Sequence, residues 1–275
     1  MFLLEVIKAI IFGLVEGVTE WLPVSSTGHL ILLNEFLYLD VSEGFYEAFE
    51  VIIQLGAIFA VVARYPKRFL FFGKDSDKIK RNFALWSKVA LATLPSAVVG
   101  AILDDLLDEY LYTPWVVSVT LVLYGVAFIL TEWLKPRVRC ESVFDVTARD
   151  ALAVGAFQCL SLIPGTSRSG ATILGATMMG YSRSSAAEFS FFLAVPTMLG
   201  ASTLKGVKFA LEYGAPSPAE MTLLAVGMAV SFLVSVAVIG YLTDFVKKHS
   251  FVPFGVYRVV LGAAVALYFF MKGRI

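Results

Sequence analysis

The stretch Glu16-Gly17-Val18-Thr19-Glu20-Trp21-Leu22-Pro23-Val24-Ser25-Ser26-Thr27-Gly28-His29 decides how the chain reads. It cuts a hydrophobic region, 2–39, with two acids, a proline and a polar run. A second cut, Pro164-Gly165-Thr166-Ser167-Arg168-Ser169-Gly170, interrupts the region 150–180. Each half left by these cuts is about 12–17 residues long, and a helix needs roughly 20 apolar residues to cross a bilayer. The lengths predict two re-entrant hairpins. Non-helical backbone at membrane depth survives only where protein or a wet cavity surrounds it. Both breaks are therefore expected to face inward.

Outside the breaks lie six cleaner apolar segments, at about 47–64, 84–103, 114–134, 186–204, 220–243 and 252–271. No Lys or Arg occurs from Val89 to Leu134 or from Phe209 to Val246. The composition agrees: 58% hydrophobic and 16% charged residues, with a mean hydropathy of +0.79. Water cannot solvate a surface so poor in charge, which excludes an ordinary soluble globule and a disordered chain. Lys+Arg and Asp+Glu both total 22, so the electrostatic footprint of a nucleic-acid binder is missing. Cys140 and Cys159 cannot make a disulfide framework. The start, MFLLEVIKAI, has neither a basic flank nor a small-residue cleavage site, and no removable signal peptide is expected. The fold class is an all-α polytopic membrane protein, one domain over 1–275, with six transmembrane helices and two re-entrant hairpins.

Basic residues orient it. Arg64, Lys67, Arg68, Lys74, Lys78, Lys80, Arg81 and Lys88 crowd one segment, expected in the cytoplasm. The next loop, Asp104-Asp105-Leu106-Leu107-Asp108-Glu109, has no cation and is expected outside. Lys135, Arg137, Arg139 and Arg149 return to the cytoplasm, and Lys247 and Lys248 fit there too. Lys205, Lys208, Lys272 and Arg274 fall on the outer side against the trend.

The two halves resemble each other. Pro23 and Pro164, each before a hydroxyl-rich run, stand 141 residues apart. Phe49 in Ala48-Phe49-Glu50 and Phe189 in Glu188-Phe189-Ser190 stand 140 apart, and Pro114 and Pro253 stand 139 apart. This near-constant offset predicts a duplicated unit, about 1–139 and 140–275, of one broken hairpin and three spans. Three is odd, so the copies have opposite orientations. Inverted repeats that meet at broken helices are a known membrane architecture.

The breaks carry chemistry. Glu16 and Glu20, spaced i, i+4, lie on one helix face. A charge at bilayer depth costs on the order of 2.5–3.5 kcal/mol, so two acids there call for a cation, a proton or a partner; snorkelling at a helix end is the plainer alternative. Ser25, Ser26, Thr27 and His29 place hydroxyls and an imidazole within five residues. An activated Ser or His is the general form of a nucleophile, although one of these hydroxyls is also a ready helix N-cap. His249, beside Lys247 and Lys248, reads as surface. Arg168, flanked by Ser167 and Ser169, suits forked recognition of phosphate oxygens, or pairs with Glu16 or Glu20 as a structural bridge. Gly165 and Gly170 allow close backbone approach, and a helix start favours an anion. Acids near a phosphate call for a divalent metal, and Mg²⁺ is commonly held by one or two carboxylates plus substrate phosphates. Small residues around Gly175, Gly180 and Gly200 suggest a lateral gap for a lipid tail.

At these residues the chain resembles the bacterial undecaprenyl-diphosphatase, or bacitracin-resistance protein, family. Glu16 to His29 and Pro164-Gly-Thr-Ser-Arg-Ser-Gly-Ala-Thr172 are similar to its two signature motifs, and Gln54-Leu55-Gly56-Ala57 adds to the likeness. The resemblance covers essentially the whole chain. It implies hydrolysis of undecaprenyl diphosphate to undecaprenyl phosphate and inorganic phosphate, which recycles the lipid carrier of peptidoglycan synthesis. It implies dependence on a divalent metal, Mg²⁺ or Ca²⁺, held by Glu16 and Glu20. It implies a plasma (inner) membrane location with the site open to the outer, periplasmic side. Its functional positions fall here on Glu16, Glu20, Ser26, His29 and Arg168. The neighbouring hydroxyls of Thr27, Ser167 and Ser169 are read from the motifs themselves as further phosphate-binding candidates. Ser26 as nucleophile with His29 as base or proton shuttle, and His29 as nucleophile with Ser26 orienting the phosphate, both remain open. A homodimer is compatible with the sequence.

Three other readings compete. A secondary transporter or lipid flippase would use the acids as ion sites. A phosphatidic-acid type phosphatase would need a second catalytic histidine, and only His249 is at hand. An intramembrane serine protease gives no reason for Arg168 or for the two acids.

Overall fold

The computed structural model describes residues 2–273, and the side chains of Asp104, Asp105, Asp108 and Glu109 fall outside that description, as does Arg274, one of the basic residues of the orientation argument. Eleven α-helices account for most of the described residues: α1 Phe2–Thr19, α2 Ser26–Phe36, α3 Phe45–Ile52, α4 Gln54–Arg64, α5 Ser76–Leu111, α6 Pro114–Leu134, α7 Ala148–Cys159, α8 Arg168–Met178, α9 Arg183–Tyr213, α10 Pro218–Lys248 and α11 Val252–Met271. Among the described residues, six helical segments are long and apolar enough to cross a membrane: Phe45–Arg64, Ser76–Leu103, Pro114–Leu134, Arg183–Tyr213, Pro218–Lys248 and Val252–Met271. They correspond one for one to the six expected spans. The chain is an all-α, multi-pass membrane protein.

Local chemistry sets the helix ends. Thr113 caps α6 by accepting from the Val116 N–H, and Pro114 opens the first turn, where a missing N–H does no harm. Thr147 with Asp150 and Ser217 with Glu220 form reciprocal capping boxes on α7 and α10. Three helices run longer than their apolar cores. α5 continues through 104–109, expected to be a loop, because no Gly or Pro stops the helix before Pro114. α9 and α10 likewise carry polar turns past the hydrocarbon. α1 has 18 residues rather than 12–17, since Glu5 and Lys8 extend it by an i, i+3 ion pair of 2.8 Å.

Helix pairing is regular. α1 lies along α10, α7 along α5, and α6 along α11. Gly56 shows how closely some of these helices cross: a Cβ there would stand 2.1 Å from the Met228 carbonyl oxygen of α10. The main core gathers Trp21, Ala57, Phe128, Phe189, Phe191, Phe192 and Ile239 around the two breaks. Many large apolar side chains point outward, among them Ile102, Leu130, Leu211, Leu233 and Phe270. A surface like this would be an aggregation site in water, and in a bilayer it is the lipid-facing side. Charged residues join the helix ends instead. Arg183 grips Glu132 with two bonds of 2.8 and 2.6 Å, Arg139 meets Asp150 at 3.1 Å, and Arg68 meets Glu188 at 3.3 Å. Both cysteines are free thiols.

Candidate active site

The two breaks meet. Residues 20–25 follow α1 and 160–167 follow α7, and each stretch ends at the first turn of a short helix. Ser25 and Ser167 take the same unusual backbone, with φ of 76° and 74°. Each accepts a hydrogen bond at its side chain from the N–H three residues on, Gly28 at 3.3 Å and Gly170 at 3.1 Å. Positive φ is strained for a residue with a Cβ, and such strain persists only where surrounding contacts hold it. These two serines are the caps, so Ser26 and Arg168, the first helical residues, are left to the site.

The contacts that hold the breaks are specific. Ser169 Oγ donates to the Glu20 carbonyl at 2.9 Å. Arg258 of α11, fully buried, donates to the carbonyls of Pro23 at 3.2 Å, Gly165 at 2.8 Å and Thr166 at 2.9 Å. One guanidinium thus ties both breaks together. On the other side Thr120 Oγ1 donates to the Pro164 carbonyl at 2.7 Å. Gly165 sits at φ 85°, where a Cβ would lie 2.2 Å from Thr120 Oγ1, so only glycine fits this crossing.

Within this frame runs one hydrogen-bonded chain. Ser26 Oγ donates to Glu20 Oε2 at 2.7 Å, and Arg168 donates to Glu20 Oε1 at 2.8 Å. Arg168 also donates to the Ser190 carbonyl at 2.7 Å and to Ser190 Oγ at 3.2 Å, and its guanidinium lies 5.6 Å from the Trp21 ring. Of the two acids it is Glu20, not Glu16, that pairs with Arg168. Glu16 is fully buried, and neither of its carboxylate oxygens has a hydrogen-bond partner. A buried carboxylate in that state must take up a proton or a cation.

His29 stands apart from the serine. Its Nδ1 lies 2.7 Å from the Ser25 carbonyl and its Nε2 2.6 Å from the Tyr257 hydroxyl. The hydroxyl of Ser26 therefore reaches Glu20 rather than the imidazole. Thr27 is half-buried on the same first turn, whereas Ser167 and Ser169 are engaged in the cap and the brace. His249 is exposed beside Phe245, away from the breaks. Gly175 leaves no gap, since its Cβ position is filled by Phe157 at 2.5 Å, and Gly180 is a turn glycine at φ 86°. Gly200 does line a cavity of about 340 Å³, between α5 and α9 with Ala97, Gly100 and Leu204.

Four residues of the site escaped the sequence reading: Trp21 within the quoted motif, Ser190, Tyr257 and Arg258. Arg258 carried a legible signal, a lone cation inside an expected span, where ionisable residues mark function by default. Tyr257 and Ser190 carried none.

Two carboxylates cannot by themselves complete a cage for a metal, and no cluster of three or more His, Cys, Asp or Glu exists among the described residues. The unpartnered oxygens of Glu16 nevertheless suit a cation completed by substrate oxygens and water.

A multi-pass membrane protein whose interior links a serine, a carboxylate and a guanidinium belongs to the class of intramembrane enzymes. The chain matches the family described as Bacitracin resistance protein BacA over residues 9–264 and belongs to that family. Curated relatives named undecaprenyl-diphosphatase are 52% identical to it in Enterococcus faecalis, over 96% of this chain and 97% of that one, and 52% identical in Acetivibrio thermocellus, over 97% and 98%. An undecaprenyl-diphosphatase 1 of Clostridioides difficile is 47% identical over 98% of both chains.

Proposed function

We infer that the chain hydrolyses undecaprenyl diphosphate to undecaprenyl phosphate and inorganic phosphate in the bacterial plasma membrane. The observation that carries this reading is the Ser26–Glu20–Arg168 chain at the junction of two helix starts. It combines a nucleophile, a base and a phosphate-holding cation. The relatives' names favour an enzyme over the transporter or flippase alternative.

The residues divide the work as follows. The terminal phosphate takes the free N–H groups at the starts of α2 and α8 and draws the Arg168 guanidinium from Glu20. Ser190 keeps Arg168 in place during the exchange. Glu20 then holds Ser26 as its principal partner and accepts its proton as Oγ attacks the terminal phosphorus. The Ser26–phosphorus bond forms, the bond to the bridging oxygen breaks, and its electron pair leaves on the lipid phosphate. In the second step water attacks the phosphoserine, Glu20 returns its proton to Oγ, and His29, a turn along α2, takes the proton lost by water. A divalent cation, Mg²⁺ or Ca²⁺, held by Glu16 and Glu20 would offset the negative charge of the phosphate.

The pairing of α1 with α10 and of α7 with α5, with the matched caps at Ser25 and Ser167, supports two inverted copies that each contribute a re-entrant hairpin. The basic crowding at 64–88 and 135–149 supports cytoplasmic helix ends there and a site open to the periplasmic side.

Phosphate release from undecaprenyl diphosphate by purified protein, titrated with Mg²⁺ and Ca²⁺, tests the reading. Ser26→Ala is expected to lower turnover by about 10³-fold or more. Near-full activity in that variant removes Ser26 as nucleophile, and no release at any metal concentration removes the phosphatase reading.

A further inference from the structure

The His29 ring is held at both nitrogens, and the two partners differ in kind. The partner of Nδ1 is the Ser25 carbonyl oxygen at 2.7 Å, which can only accept, so Nδ1 carries the hydrogen. In the neutral ring Nε2 then carries the lone pair. Its partner is the Tyr257 hydroxyl at 2.6 Å, which donates to it. The two rings are also parallel within 3°, with centroids 5.6 Å apart. Tyr257 comes from α11, 228 residues away, and neighbours Arg258, whose guanidinium is locked onto three carbonyls of the breaks. The position of the phenol is therefore set by the same element that fixes the site.

We propose that Tyr257 is a positioning residue for His29. The Ser25 carbonyl sets the Nδ1–H tautomer, and Tyr257 answers it by donating to the bare Nε2 and fixing the plane of the ring. Nε2 can act as a base only in that tautomer. The Ser25 carbonyl alone dictates it, since a hydroxyl can donate or accept, and that carbonyl belongs to the strained cap of α2. The proposal rests on the phosphatase reading only for the kinetic consequence. The tautomer itself does not depend on it.

The chain has two histidines, His29 and His249. The His249→Ala variant removes an exposed ring outside the site and leaves His29 alone to report. In this background, nitrogen NMR of ¹⁵N-histidine-labelled full-length protein in detergent is expected to show the hydrogen on Nδ1 and a bare, hydrogen-bonded Nε2. Tyr257→Phe keeps the ring stack and removes the donor. The hydrogen should stay on Nδ1, where the Ser25 carbonyl holds it, while the Nε2 resonance moves to that of a nitrogen without a donor. kcat should fall by about tenfold, the worth of one hydrogen bond, with KM unchanged, because the ring is no longer held in its plane. In a His29→Ala background, Tyr257→Phe should lower kcat no further, because a residue that acts through His29 has nothing left to act on. A hydrogen on Nε2 in the unsubstituted His29 environment overturns the proposal without any Tyr257 variant. An Nε2 resonance unchanged in Tyr257→Phe, or a full further loss of kcat in the His29→Ala background, overturns it as well. If the protein releases no phosphate at all, the phosphatase reading fails, while the NMR result still decides the tautomer.

Discussion

Replacing Arg258 by methionine isolates the device that joins the two breaks. The side chain is fully buried, and its guanidinium donates to the carbonyls of Pro23, Gly165 and Thr166. Methionine fills a similar volume but leaves all three carbonyls without that donor. A buried acceptor left unpaired costs about 1–3 kcal/mol, so the gross penalty is about 3–9 kcal/mol. Removing a buried cation returns part of this through desolvation, and a net loss of about 3 kcal/mol follows. The loss falls on the junction, because the helices keep their own backbone bonds and lipid-facing surfaces. About 3 kcal/mol against the assembled site lowers its equilibrium constant by roughly 100-fold, and phosphate release should fall by up to the same order. Arg258→Lys retains the charge but lacks the planar fork that spans the two breaks, and should lie between the two. Hydrogen–deuterium exchange read by mass spectrometry should rise over residues 20–27 and 164–170 and stay unchanged over α6 and α10. An Arg258→Met protein within threefold of wild-type turnover, with unchanged exchange at the breaks, would refute the argument.

Two further outcomes follow from the same geometry. Gly165→Ala meets Thr120 Oγ1 at 2.2 Å and the Val117 carbonyl oxygen at 2.7 Å, at a φ of 85°. The backbone alone contributes about 1–2 kcal/mol of strain, so the half-life of thermal inactivation in detergent should shorten several-fold; an unaltered half-life would mean that the crossing can open. Glu16→Gln replaces a buried carboxylate without hydrogen-bond partners by a neutral amide, so the divalent-cation concentration giving half-maximal phosphate release should rise by at least about tenfold; an unchanged metal titration excludes Glu16 as a cation ligand.

Most of the helical framework is legible along the chain because its causes are local. Apolar length sets the six spans, and Ser, Thr and Pro mark where helices begin, as at Thr113-Pro114 and Ser217-Pro218. The two breaks are equally plain, since Pro, Gly and clustered hydroxyls cannot continue a lipid-facing helix. Extents were less legible: α5 passes through an acidic stretch that hydropathy alone assigns to a loop, because helix propensity does not end where hydrophobicity does. Which acid serves Arg168 was not legible either. Glu16 and Glu20 share one face of the chain's start, and either could have been the partner.

That choice depends on contacts between residues far apart in the chain. Arg168 reaches Glu20 across 148 residues, His29 meets Tyr257 across 228, and Arg258 grips Pro23 across 235. Hydropathy and capping act within a turn or two, so they specify that Ser26 and Arg168 each open a helix. The partner of each side chain depends on how α1, α8 and α11 pack, and no local pattern encodes that arrangement.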